Sequence, residues 1–203
     1  EVETPALQPL YGGANAKPFK TFHNSLKQNL YLRIATELYL KRLIIGGFEK
    51  VYEIGKNFRN EGMDKHHNPE FTVIEFYQAY SDLNDMMNLT ENLVRNSVST
   101  IEKSLKIKYL SNDLDFSERF KVIDFFEILN EKADIDFTVM SDIEICKFLK
   151  KNKIKGDLDE RKLNKGKLLD KAFNHYVENQ LIDPTFIINY PIEFSPLAKK
   201  TKD

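Results

Sequence analysis

VYEIGKNF (51–58), RNEGMDKHHNPE (59–70) and FTVIEFYQAY (71–80) follow one another without a break, and this stretch decides the fold. The outer two pieces are β-branched and aromatic with alternating character, which predicts strands, and the polar piece between them predicts a long connection. Paired antiparallel, they make a hairpin whose faces can be sorted by the period of two. Tyr52, Ile54 and Phe58 fall on one side of the first strand. Glu53, Gly55 and Asn57 fall on the other, with Arg59 following in the same phase. The second strand separates Thr72, Ile74 and Phe76 from Phe71, Val73, Glu75 and Tyr77. A face carrying Arg59, Glu53, Glu75 and Tyr77 is a poor hydrophobic core but a good wall for a charged small ligand.

The connection adds donors to that wall. The Arg59 guanidinium is a planar fork suited to phosphate or carboxylate. His67 is placed to reach an outer phosphate, and Phe71 can stack on a heterocyclic base, a contact worth roughly 1–3 kcal/mol. Taken singly, each residue also fits a solvated hairpin; the constellation favours a site.

Working outward, residues 1–22 predict a strand end, a turn at Gly12–Gly13 and a loop. LYLRI (30–34) alternates like a strand, and ELYLKRLIIGG (37–47) has helical periodicity stopped by two glycines. A long helix is predicted over 83–104, with Asp82 as N-cap and Leu83, Met86, Met87, Leu89, Leu93 and Val94 on one side. Beyond it, helical stretches at 122–133, 141–151 and 167–181 alternate with charged loops, and TFIINY (185–190) reads as a strand. Residues 111–165 form a candidate helical insertion, in which lysine-dense KFLKKNKIK (147–155) predicts a solvated helix face and loop, with a nucleic-acid-contacting patch as the alternative.

Composition narrows the function classes. The 203 residues carry 30 Lys+Arg against 31 Asp+Glu, a net charge of −1, which excludes a uniformly basic nucleic-acid coat. The basic residues are 24 Lys and only 6 Arg, so each arginine stands out. A single cysteine, Cys146, excludes an intramolecular disulfide framework and a multi-Cys zinc site. His66 and His67 are adjacent, so their side chains diverge, and no carboxylate spacing supports zinc beside them. His23 and Asn24 read as surface-loop residues and His175 as structural. No apolar run approaches the roughly 18 residues of a membrane span, and EVETPALQPL is no signal peptide. The expectation is a mixed α/β chain in the cytoplasm, with an organellar form left open.

FRNEGMDKHHNPEFTVIEFYQAY (58–80) resembles motif 2 of the class II aminoacyl-tRNA synthetases, in the form of the lysine, aspartate and asparagine subclass. EVETP (1–5) resembles the end of that class's motif 1. GGANAKPF (12–19) with Thr21, His23 and Asn24, LRIATELYLKRLIIGGFEKVYEIGKNFRNEG (32–62), and FIINYPIEFSPLAK (186–199) are similar to segments of the lysyl-tRNA synthetase family. Thr36 departs from the pattern, which usually has proline before the glutamate.

The resemblance implies an α+β class II catalytic fold, a mainly antiparallel sheet flanked by helices. It implies ATP-dependent activation of L-lysine to lysyl-adenylate and transfer to tRNA(Lys), by a homodimer, with Mg²⁺ assisting ATP. It implies that Arg59 bridges the lysine carboxylate and the α-phosphate as the catalytic residue. Glu61, His67, Asn68 and Phe71 would complete the ATP site: Glu61 near adenine, Phe71 stacked on it, His67 at the terminal phosphates. Gly13, Glu37, Arg59, Glu75 and Tyr77 would bind lysine, with Glu37 receiving the α-amino group and Glu75 and Tyr77 lining the side-chain pocket. The resemblance also implies an incomplete catalytic domain over 1–203. An anticodon-binding domain and the glycine-rich motif 3 are not found in it, the magnesium ligands are expected mainly elsewhere, and the chain alone is expected to be inactive. Two alternatives stay open: a related ligase that attaches a lysine derivative to a translation elongation factor, and a non-catalytic binding module derived from a synthetase.

Overall fold

The chain begins with three short strands, β1 (Leu7–Gln8), β2 (Lys20–His23) and β3 (Gln28–Leu32), in the antiparallel order β1-β3-β2. Exposed His23 closes the β2–β3 turn, its ring Nδ1 accepting from the Leu26 amide at 3.2 Å. Helix α1 (Glu37–Ile45) follows, with Glu37 in its first turn, where a carboxylate complements the helix dipole. It stops at Gly46 and at Gly47, whose φ of +102° is a left-handed conformation that favours glycine.

The predicted hairpin is present as β4 (Lys50–Phe58) and β5 (Glu70–Gln78), antiparallel from Lys50↔Gln78 to Phe58↔Glu70. Its sides sort as the alternation predicts. Val51, Glu53 and Asn57 are buried while Tyr52, Ile54 and Lys56 are exposed. Glu53 lies directly opposite Glu75, Gly55 opposite Val73 and Asn57 opposite Phe71, so the ionisable face is a single surface. The computed structural model describes residues 1–65, 67–154, 164–194 and 198–199, and these fall into two compact units, Glu1–Asp82 and Leu83–Asp203. His66 and parts of KFLKKNKIK and FIINYPIEFSPLAK lie outside the described residues.

The interior of the first unit is half polar. Leu30, Ile34, Ala35, Leu40 and Val51 are buried beside Gln8, Arg33, Thr36, Glu53 and Asn57. The polar members are held by specific partners. Arg33 forms a buried ion pair with Glu53 and donates from Nε to the Lys56 carbonyl at 2.8 Å and from Nη1 to the Thr4 carbonyl at 3.0 Å. Thr4 in turn donates its hydroxyl to Glu53 Oε2 at 2.6 Å. The sequence reading placed Glu53 on the wall open to a ligand. The structure corrects this: its carboxylate is spent on Arg33 and Thr4. Gly55 makes the pair possible, because a Cβ there would lie 2.3 Å from Arg33 Nη2.

In the second unit, helix α2 (Leu83–Glu102) is present, but Leu83, Leu89 and Leu93 are exposed and its one buried residue is Glu91. The predicted apolar side is only partly the buried one: Met86, Met87 and Val94 are half-buried, and the centre of the covered side is Glu91, which accepts from Arg95 Nη1 at 3.2 Å and the Phe120 amide at 3.3 Å and pairs with Arg119 at 3.4 Å. A hairpin follows, β6 (Lys106–Tyr109) with β7 (Asn112–Asp115). The stretch 122–133 divides: Val122 and Ile123 belong to β8 (Lys121–Asp124), and only α3 (Phe125–Ala133) is helical, capped by Asp124 accepting from the Phe126 and Glu127 amides. Helix α4 (Asp142–Lys151) starts on a Ser141/Glu144 capping box and buries Ile145, Cys146 and Leu149 while its lysines face solvent. The 167–181 stretch becomes α5 (Lys165–Tyr176) plus a 3₁₀ turn, Glu178–Gln180. His175 is exposed in the last turn of α5, edge-on to Tyr176. Strand β9 (Thr185–Ile188) pairs with β8 in parallel, the one parallel pair among the described strands. Phe125, Leu129, Phe137, Leu149, Leu168 and Val177 anchor an apolar core shared by α3, α4 and α5. The mixed α/β expectation holds, with mainly antiparallel sheets and five helices among the described residues.

Removing one member of a buried ion pair strands the other, at a cost of about 3–5 kcal/mol. Glu53→Ala is therefore expected to lower the urea-unfolding free energy by about that amount, whereas Ile54→Ala next to it, 54% exposed, should change it by about 1 kcal/mol or less.

Candidate active site

The hairpin face is crossed by the segment 33–37, which runs from β3 into α1. The Phe58 amide donates to the Arg33 carbonyl at 2.9 Å, Arg59 Nε to the Ile34 carbonyl at 3.4 Å, and Thr36 Oγ1 to Glu75 Oε2 at 2.6 Å. Two groups of polar side chains result, both within the first unit.

The first lies at the connection between β4 and β5. Arg59, Glu61, His67, Asn68 and Phe71 line one cavity of about 490 Å³, together with Asp64. The Arg59 amide is held to the Pro69 carbonyl at 2.8 Å, and its guanidinium stands over the Phe71 ring, 5.1 Å from the centroid. The connection is tied back to the loop before β2: the Asn60 amide donates to the Lys17 carbonyl at 2.8 Å, and the Lys17 amide to Glu61 Oε1 at 3.3 Å. His67 is exposed, with its ring Nδ1 2.8 Å from both Asp64 oxygens, so its other ring nitrogen is the one turned away from Asp64. Asn68 Nδ2 donates to the Glu70 carbonyl at 2.6 Å. All five predicted ATP-site residues are thus brought together. Asp64, which orients His67, and Lys17 were missed, because neither carries a pattern until the loop closes.

The second group gathers Gly13, Glu37, Glu75 and Tyr77. Gly13 has φ +87°, and a Cβ on it would crowd Ala35 Cβ and Glu37 Cβ at 3.1 Å, so the backbone passes close to Glu37 only because no side chain is present. Lys41, one turn along α1, forms an ion pair with Glu37 Oε1 and stands 5.8 Å over the Tyr77 ring. Tyr77 donates to Glu75 Oε1 at 2.6 Å. Burial, the hydrogen bond to Glu75 and the charges of Glu75 and Glu37 hold the Tyr77 phenol well above its usual range. Lys41 was not anticipated, although its i, i+4 spacing from Glu37 was legible. Thr36, noted only as a departure, is fully buried and bonded to Glu75. Arg59, expected in both groups, stands with the first, and its Nε bond to the Ile34 carbonyl links it toward the second. Among the described residues no three His, Cys, Asp or Glu side chains converge on one metal position.

The raised Tyr77 phenol carries a pH prediction. Folding favours the protonated form, so its contribution to stability is intact below the unfolded value near 10 and declines as pH rises past it. Urea unfolding at pH 9 and 11 should show that decline in the wild type and a shallower one in Tyr77→Phe, whatever the variant's level at pH 9.

The chain matches, over residues 1–203, the family model described as tRNA synthetases class II (D, K and N). It is 50% identical over 203 residues, all of this chain, to a lysine--tRNA ligase of Clostridium botulinum, of which 40% is covered. It is 50% identical over 206 residues to one of Clostridium tetani, covering 100% of this chain and 41% of that protein. The lysine--tRNA ligase of Methanoculleus marisnigri is 52% identical over 200 residues, 98% of this chain and 39% of that protein. The chain therefore spans about two fifths of the length of these curated relatives. With the hairpin, its connecting loop and the glycine turn all inside the matched region, the chain belongs to the class II tRNA synthetases of the D, K and N group.

Proposed function

We propose that the protein carrying this chain activates L-lysine with ATP and transfers it to tRNA(Lys). The observation that carries this reading is the pairing of two chemistries on one hairpin. An arginine–aromatic–histidine cavity suits a nucleotide, and beside the other strand two carboxylates suit a diamine. The names of the relatives, lysine--tRNA ligases, support the amino acid and the tRNA.

Attack of the lysine carboxylate on the α-phosphate forms a carbon–oxygen–phosphorus anhydride and expels pyrophosphate. The reaction requires no protein nucleophile; it requires two anions to be held together and charge on the phosphoryl oxygens to be compensated. Arg59 has the bidentate fork for both tasks. Its guanidinium stands over a face of Phe71, the ring proposed to stack on adenine, so both groups serve the same cavity. Asp64 holds one nitrogen of His67, leaving the other to meet the terminal phosphates. Glu61 and Asn68 line the same cavity and complete the nucleotide site. Mg²⁺, when bound, would compensate charge on the phosphates, held largely by the phosphates themselves.

On the lysine side, Glu37 Oε1 is occupied by Lys41, while Oε2 faces Gly13 and is the oxygen for the α-ammonium. Glu75, flanked by Tyr77, takes the ε-ammonium. Dimerisation through the motif 1 segment belongs to the same proposal. In the full-length protein, Arg59→Ala should lower lysine-dependent ATP–pyrophosphate exchange by two or more orders of magnitude with an unchanged thermal transition. Exchange near the wild-type rate would remove Arg59 from this role, and wild-type exchange indifferent to lysine would sink the proposed substrate.

A further inference from the structure

We propose that Thr36 is a positioning residue for cation recognition: its buried hydroxyl locks the Glu75 carboxylate in the orientation that receives the ammonium of the amino-acid substrate. The inference rests on the lysine reading above and assigns a determinant within that site.

Thr36 sits at the N-cap of α1, where a threonine side chain ordinarily accepts from an amide one turn ahead. Here it makes no such bond. Its backbone is helical (φ −94°, ψ −12°) rather than extended, and only its carbonyl serves the helix, accepting from the Tyr39 and Leu40 amides at 3.1 and 3.2 Å. The hydroxyl is committed across the interior to β5, donating to Glu75 Oε2 at 2.6 Å, and the residue has no exposed surface. On the other oxygen Tyr77 donates at 2.6 Å. A carboxylate gripped by a donor on each oxygen has its plane fixed.

The nature of the donors matters as much as their number. Three glutamates lie on or against this hairpin face. Glu53 is paired with Arg33, and Glu37 shares its charge with Lys41 through Oε1. Glu75 accepts from two neutral hydroxyls, and among the described residues no ion pair involves it. Neutral donors orient a carboxylate without cancelling its charge. Each oxygen keeps a further lone-pair direction, so Glu75 is a preoriented anion with capacity for a cation. A proline at this position could not donate such a bond, so the device depends on threonine.

The test uses lysine-dependent ATP–pyrophosphate exchange by the full-length protein. Thr36→Val keeps the volume and removes the donor, and is expected to raise the KM for lysine roughly tenfold while the KM for ATP stays within about twofold. Thr36→Ser, which restores a hydroxyl, should bring the lysine KM back toward the wild-type value. Thr36→Ala supplies the same reading should valine not be accommodated. A lysine KM unchanged in both hydroxyl-free variants, equal rises for lysine and ATP, or no rescue by serine would overturn the inference. Lysine-independent exchange in the wild type would instead remove the substrate reading itself, and this inference with it.

Discussion

The buried Arg33 guanidinium is the constraint on which the first unit depends. It joins Thr4 at the chain start, Lys56 and Glu53 on β4, and through its own backbone the β3–α1 segment that crosses the hairpin. Such a charge is costly to desolvate and is tolerated only when its donors are met. Here Nε and Nη1 each have partners, and Gly55 leaves room for Nη2 to approach the strand. The pair contributes less as attraction than as a device that admits one arrangement: move any of the three segments and two charges are left buried and unsatisfied.

That arrangement is what puts chemistry on the hairpin. Because residues 33–37 are pinned across its face, Ile34 offers a carbonyl to Arg59 and Thr36 a hydroxyl to Glu75. The interior of this unit mixes polar and apolar residues, whereas the core of the second is built from Phe125, Leu129, Phe137, Leu149 and their neighbours. The contrast has a physical meaning. An apolar core stabilises by burial without specifying where a charge points, while a hydrogen-bonded polar interior fixes side-chain directions and contributes less from burial.

Equivalent residues on one face consequently have different fates. Glu37, Glu53 and Glu75 have the same side chain. Lysine, arginine and hydroxyl partners respectively make them a shared carboxylate, a structural anchor and an oriented carboxylate. Gly13 and Gly55 act similarly by omission, one admitting backbone beside Glu37 and the other admitting a guanidinium.

By itself the sequence determined the hairpin, the face on which each of its residues lies, and the helix stopped at Gly46–Gly47. Strand alternation, β-branching and glycine conformations are local properties. The residues proposed for ATP, named in part by the resemblance, come together simply, since Arg59 to Phe71 lie within one loop and its flanks. Only the tertiary structure decided that Glu53 is anchored, that Glu91 rather than Leu89 is buried on α2, that Val122 and Ile123 form a strand, and that Thr36 reaches Glu75. Each of those outcomes depends on a partner distant in sequence: Arg33 for Glu53, Arg119 and Phe120 for Glu91, β9 for β8, and β5 for Thr36. A period of two or of 3.6 assigns a residue to a face. What meets that face is set by chain segments the period does not contain.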